Sequence, residues 1–337
     1  MSQTISGIEV ALTPLSPSKQ IYGEIPAPQP GTTTLPAGHL KSPGSRALPT
    51  SIIFDRDVEI PLRDGVRLRA DVFRPNSDTK VPALIVWGPY GKTGSSPLNL
   101  HVMPGRAGVE QSRLSGYESF EGPDPAEWVA RGYAIVNVDS RGTVNSEGDI
   151  RVQGSAEGRD GCDAVEFIAA LPWCNSSVGM AGNSWLAMVQ YHIAAQDPPH
   201  LKCVAPLEGL SDLLREQVCR GGIPDPGFFR AIAHNLRGGL YYSRNVEQCM
   251  LTLHSGHGHI EDIPAMLGTE PVMNEYWRDK RVDFSKIKVP AYILASYSTG
   301  LHTEGSLRCF EEMTQPAWYV PIKPKVFCGC EKLTMVG

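Results

Sequence analysis

The sequence has 337 residues and a formal net charge of −5 at pH 7, with 41% hydrophobic and 20% charged residues. This composition is typical of a globular protein with a full hydrophobic core, and it excludes a disordered or fibrous chain. The mildly acidic balance provides no basic patch for nucleic acid or for an anionic membrane. No stretch reaches the roughly 20 apolar residues that cross a bilayer, and the N-terminal segment lacks the pattern of a secretory signal. We therefore predict a cytoplasmic protein with no membrane span.

Eight cysteines are scattered along the chain. They form no CxxC pair, and the spacing of Cys328 and Cys330 suits neither a relaxed disulfide nor the usual zinc site, so reduced thiols are expected. The run of His254, His257 and His259 is separated by glycines and lacks helical spacing, which favours a solvated loop over a metal site. We predict neither a metal nor a cofactor.

Residues 1–50 are rich in Pro, Ser, Thr and Gly, which predicts an irregular N-terminal arm. From residue 51 onward, apolar runs typical of strands alternate with helical periodicity. The predicted strands are Asp57–Pro61, Val66–Phe73, Val81–Trp87, Tyr133–Asp139, Val178–Ala181, Leu201–Leu207 and Val289–Ser296. The predicted helices are Pro125–Arg131, 156–171, 184–195 and Glu304–Met313.

This alternation predicts an α/β fold, with a mostly parallel sheet and helices on both faces. The core is expected in two parts, residues 51–208 and 286–314. Residues 209–285 interrupt the alternation with irregular, helix-rich sequence, and we predict that they form a helical cap over the sheet. Residues 315–337 contain no element that we can match.

The strand Val178–Ala181 runs directly into Gly182-Asn183-Ser184, and a helix is predicted to begin at once. A serine on a sharp strand-to-helix turn has its oxygen lifted above the sheet edge, which is the arrangement of a nucleophile. Gly182 supplies the small residue two positions before the serine, but Leu186 stands where a second small residue is usual. The alternative interpretation is a serine that caps the helix.

Several segments, in the same order along the chain, resemble the cocaine-esterase and X-prolyl dipeptidyl-peptidase group of α/β-hydrolases. The turn Gly182-Asn183-Ser184-Trp185-Leu186-Ala187 is similar to that group's Gly-x-Ser-Tyr-x-Gly. The other matching segments are Arg63-Asp64-Gly65-Val66, Ala70-Asp71-Val72-Phe73-Arg74-Pro75, Gly88-Pro89-Tyr90-Gly91-Lys92, Asp139-Ser140-Arg141-Gly142-Thr143, Ser146-Glu147-Gly148 and Trp173 through Gly179.

The resemblance implies an α/β-hydrolase fold with Ser184 as the nucleophile. It also implies that the Tyr90 hydroxyl and the Trp185 backbone amide bind the oxyanion. Both groups can donate a hydrogen bond to the negative charge that develops on a carbonyl oxygen. Arg141 is expected to order its own loop.

Two catalytic residues of the resembled group are not found where expected. Its aspartate falls on Thr299, in the turn Tyr297-Ser298-Thr299-Gly300, and a threonine cannot hold a histidinium by charge. From Ser296 onward the only histidine is His302. His302 with Glu304 is the nearest base-and-acid pair, and the alternative is that both belong to the start of a helix. We therefore expect a C-terminally truncated member of the group.

The predicted function is that of a serine-dependent hydrolase, which cleaves an ester, thioester or amide through an acyl-enzyme on Ser184. Its partner would be a small-molecule acyl substrate. Acyl transfer by the same nucleophile is one alternative, and a catalytically impaired relative that binds an acyl ligand is another. Because the expected Asp and His are absent, we expect a poor catalyst unless His302 reaches Ser184. The oligomeric state is not predicted.

Overall fold

The computed structural model describes residues 3–14, 27–92, 100, 104–230, 241–242, 249–250 and 258–322. The sequence predictions for His254, His257, Cys328 and Cys330 lie outside these ranges. Within them, the cysteines whose side chains are described carry free thiols, as expected; they are Cys162, Cys174, Cys203, Cys219 and Cys309.

A nine-stranded sheet forms the centre of the described structure. Its strands in chain order are β1 (Gly31–Leu35), β2 (Ile52–Pro61), β3 (Arg67–Pro75), β4 (Val81–Gly88), β5 (Ala134–Asp139), β6 (Cys174–Asn183), β7 (Leu201–Leu207), β8 (Ala291–Ser296) and β9 (Ala317–Ile322). The strands predicted from residue 51 onward are all present.

The order of strands across the sheet is β9-β8-β7-β6-β4-β5-β3-β2-β1. All neighbours from β9 to β5 are parallel, whereas β3, β2 and β1 are joined antiparallel at the other edge. The mostly parallel sheet is therefore as predicted. Parallel strands need crossover connections, and the helices that follow the strands provide them.

The α-helices that lie wholly within the described ranges are α1 (Pro125–Val129), α2 (Gly154–Ala169), α3 (Trp185–Ala194), α4 (Ile263–Thr269), α5 (Glu275–Asp279) and α6 (Thr303–Glu312). Helices α2 and α3 pack closely, since a Cβ added at Gly158 would lie 2.6 Å from the His192 carbonyl oxygen. None of the helices in the described ranges has the length and apolar character to span a membrane.

Two hydrophobic clusters cover the two faces of the sheet. Along β4, Leu84 and Val86 belong to one cluster, and Ile85 and Trp87 belong to the other. This alternation follows from the two-residue period of a strand and explains why β4 is apolar throughout.

Two predictions about the ends of the chain were wrong. The arm 1–50 is not irregular throughout, because β1 pairs with β2 along Gly31–Leu35, where three consecutive threonines favour extended backbone. The segment 315–337 contains β9, which pairs in parallel with β8. Pro321 argued against a strand in the sequence, but proline is tolerated at the edge of a sheet, and β9 is the last strand of the sheet among the described residues.

The predicted cap, residues 209–285, contains α4 and α5 and also short strands that were not expected. Cys219–Arg220 pairs with Ile223–Pro224, and His259–Glu261 pairs with Leu12–Pro14 near the N-terminus. Among the described residues, no strand of this segment joins the nine-stranded sheet. That the segment caps the sheet remains a prediction.

A buried ion cluster fastens this segment to the core. The Glu261 carboxylate lies 2.8 Å from Lys280 Nζ and 3.0 Å from Arg151 Nε. It also accepts hydrogen bonds from the Tyr276 hydroxyl at 2.7 Å and the Val152 amide at 2.9 Å. Although burial opposes ionisation, the charges of Lys280 and Arg151 hold the pKa of Glu261 at about 2.

We expect Glu261→Gln to destabilise the fold by about 3–5 kcal/mol, because it leaves the buried cations without their carboxylate. Urea unfolding at pH 7 measures this. The matched control is Glu275→Gln, because the Glu275 side chain is 53% exposed and pairs with the nearby, exposed Arg278. This change should cost less than about 0.5 kcal/mol. Equal losses of stability in the two variants would contradict the conclusion that the buried Glu261 cluster stabilises the fold.

The same cluster predicts that the stability of the fold depends on pH in the acid range. The folded-state pKa of Glu261 lies below its ordinary value of 4.5. Its contribution is therefore complete above about pH 4.5 and is lost as the pH falls towards 2. The stability difference between wild type and Glu261→Gln should shrink over this range, and a difference constant with pH would contradict the account.

Candidate active site

The carboxyl ends of β4 and β6 define the candidate site. After β4 the chain crosses to β5 on one side, and it later returns to β6 on the other side of β4. Such a reversal of strand order leaves a crevice beyond the carboxyl ends of the strands, where ligands bind in open α/β sheets. The loop Gly88–Lys92 follows β4, and Ser184 follows β6, so both lie at this edge.

Ser184 forms the turn between β6 and α3 with φ 59° and ψ −120°. A non-glycine residue rarely adopts positive φ, and such backbone strain clusters at functional sites. The side chain makes no capping hydrogen bond to α3, which removes the capping interpretation. Instead, Ser184 Oγ lies 3.1 Å from His302 Nε2.

Leu186 replaces the usual small residue after the serine, and two glycines make room for it. A Cβ at Gly182 would lie 2.5 Å from Leu186 Cβ, and a Cβ at Gly88 would lie 2.7 Å from Leu186 Cδ1. Real Cβ atoms do not approach so closely. Gly88 on β4 and Gly182 on β6 therefore provide the space that the Leu186 side chain occupies.

His302 is fully buried at the start of α6, where its carbonyl accepts a hydrogen bond from the Ser306 amide at 2.8 Å. The structure thus brings together the predicted nucleophile and the predicted base, which are 118 positions apart in the chain. At this distance a neutral imidazole can accept the serine proton.

Glu304 does not stand behind His302, contrary to the pairing considered from the sequence. Its side chain is 67% exposed and lies 2.7 Å from Arg308, one helical turn further along α6. His302 is directed into the core and Glu304 into solvent, because residues two positions apart in a helix do not share a face.

Tyr90 and Trp185, which directly follows Ser184, are both buried. Their rings meet edge to face, with 6.5 Å between centroids, and Phe120 packs against Tyr90 at 5.4 Å. Burial, reinforced by the charges of Glu121 and Glu157, raises the pKa of Tyr90 well above 10. The phenol therefore stays protonated and remains a hydrogen-bond donor.

The indole of Trp185 is hydrogen-bonded to a buried carboxylate. Glu157 Oε1 accepts hydrogen bonds from the indole nitrogens of Trp185 at 3.1 Å and of Trp87 at 2.9 Å, and the Gln153 amide donates to Oε2. Burial raises the pKa of Glu157 to about 7. These contacts fix the first residue of α3, whose backbone amide lies among the helix donors that have no intrahelical partner.

The loop that carries Tyr90 is anchored by Lys92. Its Nζ lies 2.8 Å from Asp57 of β2 and 3.4 Å from Asp71 of β3. The Ser119 hydroxyl donates to the Gly91 carbonyl at 2.9 Å. Arg141, as expected, orders its own loop through Asp160. Sequence reasoning named Lys92 only as part of a motif and missed its acidic partners.

Sequence reasoning also missed Glu208, which directly follows β7 and is fully buried. Thr299, the residue at the expected aspartate position, donates a hydrogen bond to Glu208 Oε1 at 3.2 Å. A charged residue immediately after an apolar parallel strand was the available signal, because such positions lie at the carboxyl edge of the sheet.

No metal centre is apparent within the described ranges, where no group of three or more His, Cys, Asp or Glu side chains could hold an ion. His259, the described member of the His-rich run, lies 3.1 Å from Asp149.

Comparison with known proteins gives partial matches to several esterases. The cocaine esterase of Rhodococcus sp. is 33% identical over 159 residues, which are 47% of this chain and 24% of that protein. A putative serine esterase of Mycobacterium bovis is 29% identical over 168 residues, or 49% of this chain and 26% of that protein. This chain's matches thus span about a quarter of the length of these relatives.

Solved structures extend the similarity along the chain. A CocE/NonD family hydrolase from Staphylococcus aureus superposes with a TM-score of 0.72 and 28% identity, covering 89% of this chain and 50% of that one. An α-amino acid ester hydrolase, at 18% identity and a TM-score of 0.54, shares the fold; the match covers 79% of this chain and 47% of that one. The predicted α/β-hydrolase fold is confirmed.

The sequence model of the X-Pro dipeptidyl-peptidase (S15) family matches residues 64–329. This span includes the loop of Tyr90, the turn of Ser184 and His302, and it extends into the segment 315–337 that sequence reasoning left unmatched. The chain belongs to the X-Pro dipeptidyl-peptidase (S15) family.

Proposed function

We propose that this chain is a serine hydrolase that cleaves an acyl bond through a covalent acyl-enzyme on Ser184. The observation that carries the proposal is the 3.1 Å distance between Ser184 Oγ and His302 Nε2. His302 takes the serine proton as Oγ attacks the carbonyl, and it returns that proton to the leaving group. The expectation of a poor catalyst rested on the absence of both the expected Asp and the expected His. The close approach of His302 to Ser184 supports the proposal that His302 is the base.

The developing oxyanion is bound by the Tyr90 hydroxyl and the Trp185 amide. The raised pKa of Tyr90 supports this role, because a phenol must keep its proton in order to donate. The amide at the start of α3 benefits from the positive end of the helix dipole. Both donors are held in place before substrate arrives, which lowers the cost of reorganisation.

An ester is the substrate class that we favour. Two relatives are named as esterases, and the family takes its name from an X-Pro dipeptidyl-peptidase. An activated ester has the better leaving group and therefore depends least on leaving-group protonation. An activated ester is therefore the most sensitive substrate for a first test. Amide and thioester substrates can be tested next.

We expect Ser184→Ala and His302→Ala each to reduce kcat for a short p-nitrophenyl ester by about 10⁴–10⁶-fold, since nucleophile and base act as a unit. The matched control is His259→Ala, which removes a histidine bound to Asp149 and should leave kcat unchanged. Hydrolysis insensitive to both active-site substitutions would refute the proposal and favour a vestigial protein that binds an acyl ligand.

We expect Tyr90→Phe to reduce kcat by about 10²–10³-fold with little change in KM, because one oxyanion donor is lost. Tyr117→Phe is the control, since its hydroxyl bonds His39 instead of facing the nucleophile. Steady-state kinetics on both variants measures the difference. A Tyr90→Phe enzyme with unchanged kcat would remove Tyr90 from the oxyanion site.

A further inference from the structure

Glu208 is a buried carboxylate at the carboxyl edge of the sheet. It follows β7 directly, is fully buried and adopts φ 56°. Positive φ is uncommon in a residue other than glycine and is retained where the surrounding structure demands it. A buried carboxylate is costly unless its position gives a compensating interaction. The positive φ and the complete burial of the carboxylate both suggest that Glu208 has a functional role.

The backbone around Glu208 connects the two elements that carry the nucleophile and the base. The Ser184 amide donates to the carbonyl of Leu207 at 3.0 Å, so Glu208 begins immediately beside the nucleophile turn. The Ser306 hydroxyl, one turn into α6 from His302, donates to the Gly209 carbonyl at 3.2 Å.

Gly209 brings the same segment close to α3. A Cβ added at this position would lie 3.1 Å from the ring of Tyr191 and 3.6 Å from Ala187 Cβ. The Glu208-Gly209 segment is therefore enclosed between α3 and α6.

Thr299 bonds both the Glu208 carboxylate and the first residue of α6, which directly follows His302. Its hydroxyl donates to Glu208 Oε1 at 3.2 Å, and its carbonyl accepts from the Thr303 amide at 3.3 Å. The second bond closes the turn that contains His302. Position 299 is where the resembled group has its aspartate, so the carboxylate of Glu208 reaches the region that the missing aspartate would serve.

We propose that Glu208 replaces the missing aspartate as the positioning residue of His302. Its carboxylate accepts the Nδ1–H of His302, which leaves Nε2 as the acceptor for the Ser184 proton. When the proton moves from Ser184 Oγ to Nε2, the charge of Glu208 stabilises the imidazolium without itself taking the proton. The proton then passes from Nε2 to the leaving group. This inference rests on the proposed hydrolase function.

The test is Glu208→Gln, which keeps the shape of the side chain and removes its charge. We expect kcat for the p-nitrophenyl ester to fall by about 10³–10⁴-fold with KM nearly unchanged, as for loss of the acid in a serine triad. Adding Thr299→Asp to the Glu208→Gln variant should restore at least about tenfold of the lost kcat, since it returns a carboxylate to the same turn. A merely structural role would show no such rescue.

Glu216→Gln is the matched control. Glu216 is also buried and contacts α6 through Arg308, but it bonds Ser211 instead of Thr299. We expect this control to lower the midpoint of thermal unfolding while retaining kcat. If Glu208→Gln behaves in the same way, with kcat retained, the proposal is overturned.

Proton NMR of the free enzyme provides a readout independent of turnover. A ring N–H bonded to a carboxylate gives a far-downfield resonance, which should be present in wild type and lost in both His302→Ala and Glu208→Gln. Its survival in Glu208→Gln would overturn the proposal. If wild type shows the resonance but hydrolyses no ester, the hydrolase function fails while the Glu208–His302 pairing stands.

Discussion

The left-handed backbone at Ser184 is the constraint on which the candidate site depends. It turns the chain from β6 into α3 within one residue and leaves Oγ free of the helix it precedes. The turn is possible because Gly88 and Gly182 have no Cβ where Leu186 packs. A side chain at either glycine would force α3 away from the sheet, and with it the Trp185 amide. The chemistry of the site thus follows from a packing condition on two adjacent strands.

Buried acidic groups surround this turn and serve different purposes. Glu157 accepts hydrogen bonds from two indoles, and burial raises its pKa to about 7. Asp57 and Asp71 neutralise Lys92 and so fix the loop of Tyr90. Each group costs free energy to bury, and such costs are usually retained where precise positioning matters more than stability.

Much of the fold could be predicted from the sequence, because strands buried on both faces are continuous apolar runs between helical segments. Val81–Gly88 and Leu201–Leu207 are examples. The edge strands β1 and β9 were missed for a physical reason: an edge strand has one unpaired side, so it tolerates polar residues and proline. Ser184 and Tyr90 could be named because each belongs to a local motif of neighbouring residues.

The rest of the site depends on contacts between residues distant in the chain. The meeting of Ser184 with His302 joins β6 to the start of α6, and no local pattern encodes that approach. Glu304 was the candidate acid because it is close to His302 in the sequence. On the first turn of α6, however, its side chain is exposed to solvent. The position of Glu208 directly after β7 was a signal in the sequence, but its contact with Thr299, 91 positions away, was not. Only the assembled sheet edge brings these groups together.

The most direct test of the account is a crystal structure of the protein after reaction with a fluorophosphonate. The account predicts phosphorus bonded to Ser184 Oγ, with the phosphoryl oxygen about 2.7–3.1 Å from both the Tyr90 hydroxyl and the Trp185 amide. His302 Nε2 should remain on the side from which the leaving group departs. An unmodified Ser184, or a phosphoryl oxygen directed away from both donors, would contradict the central claim.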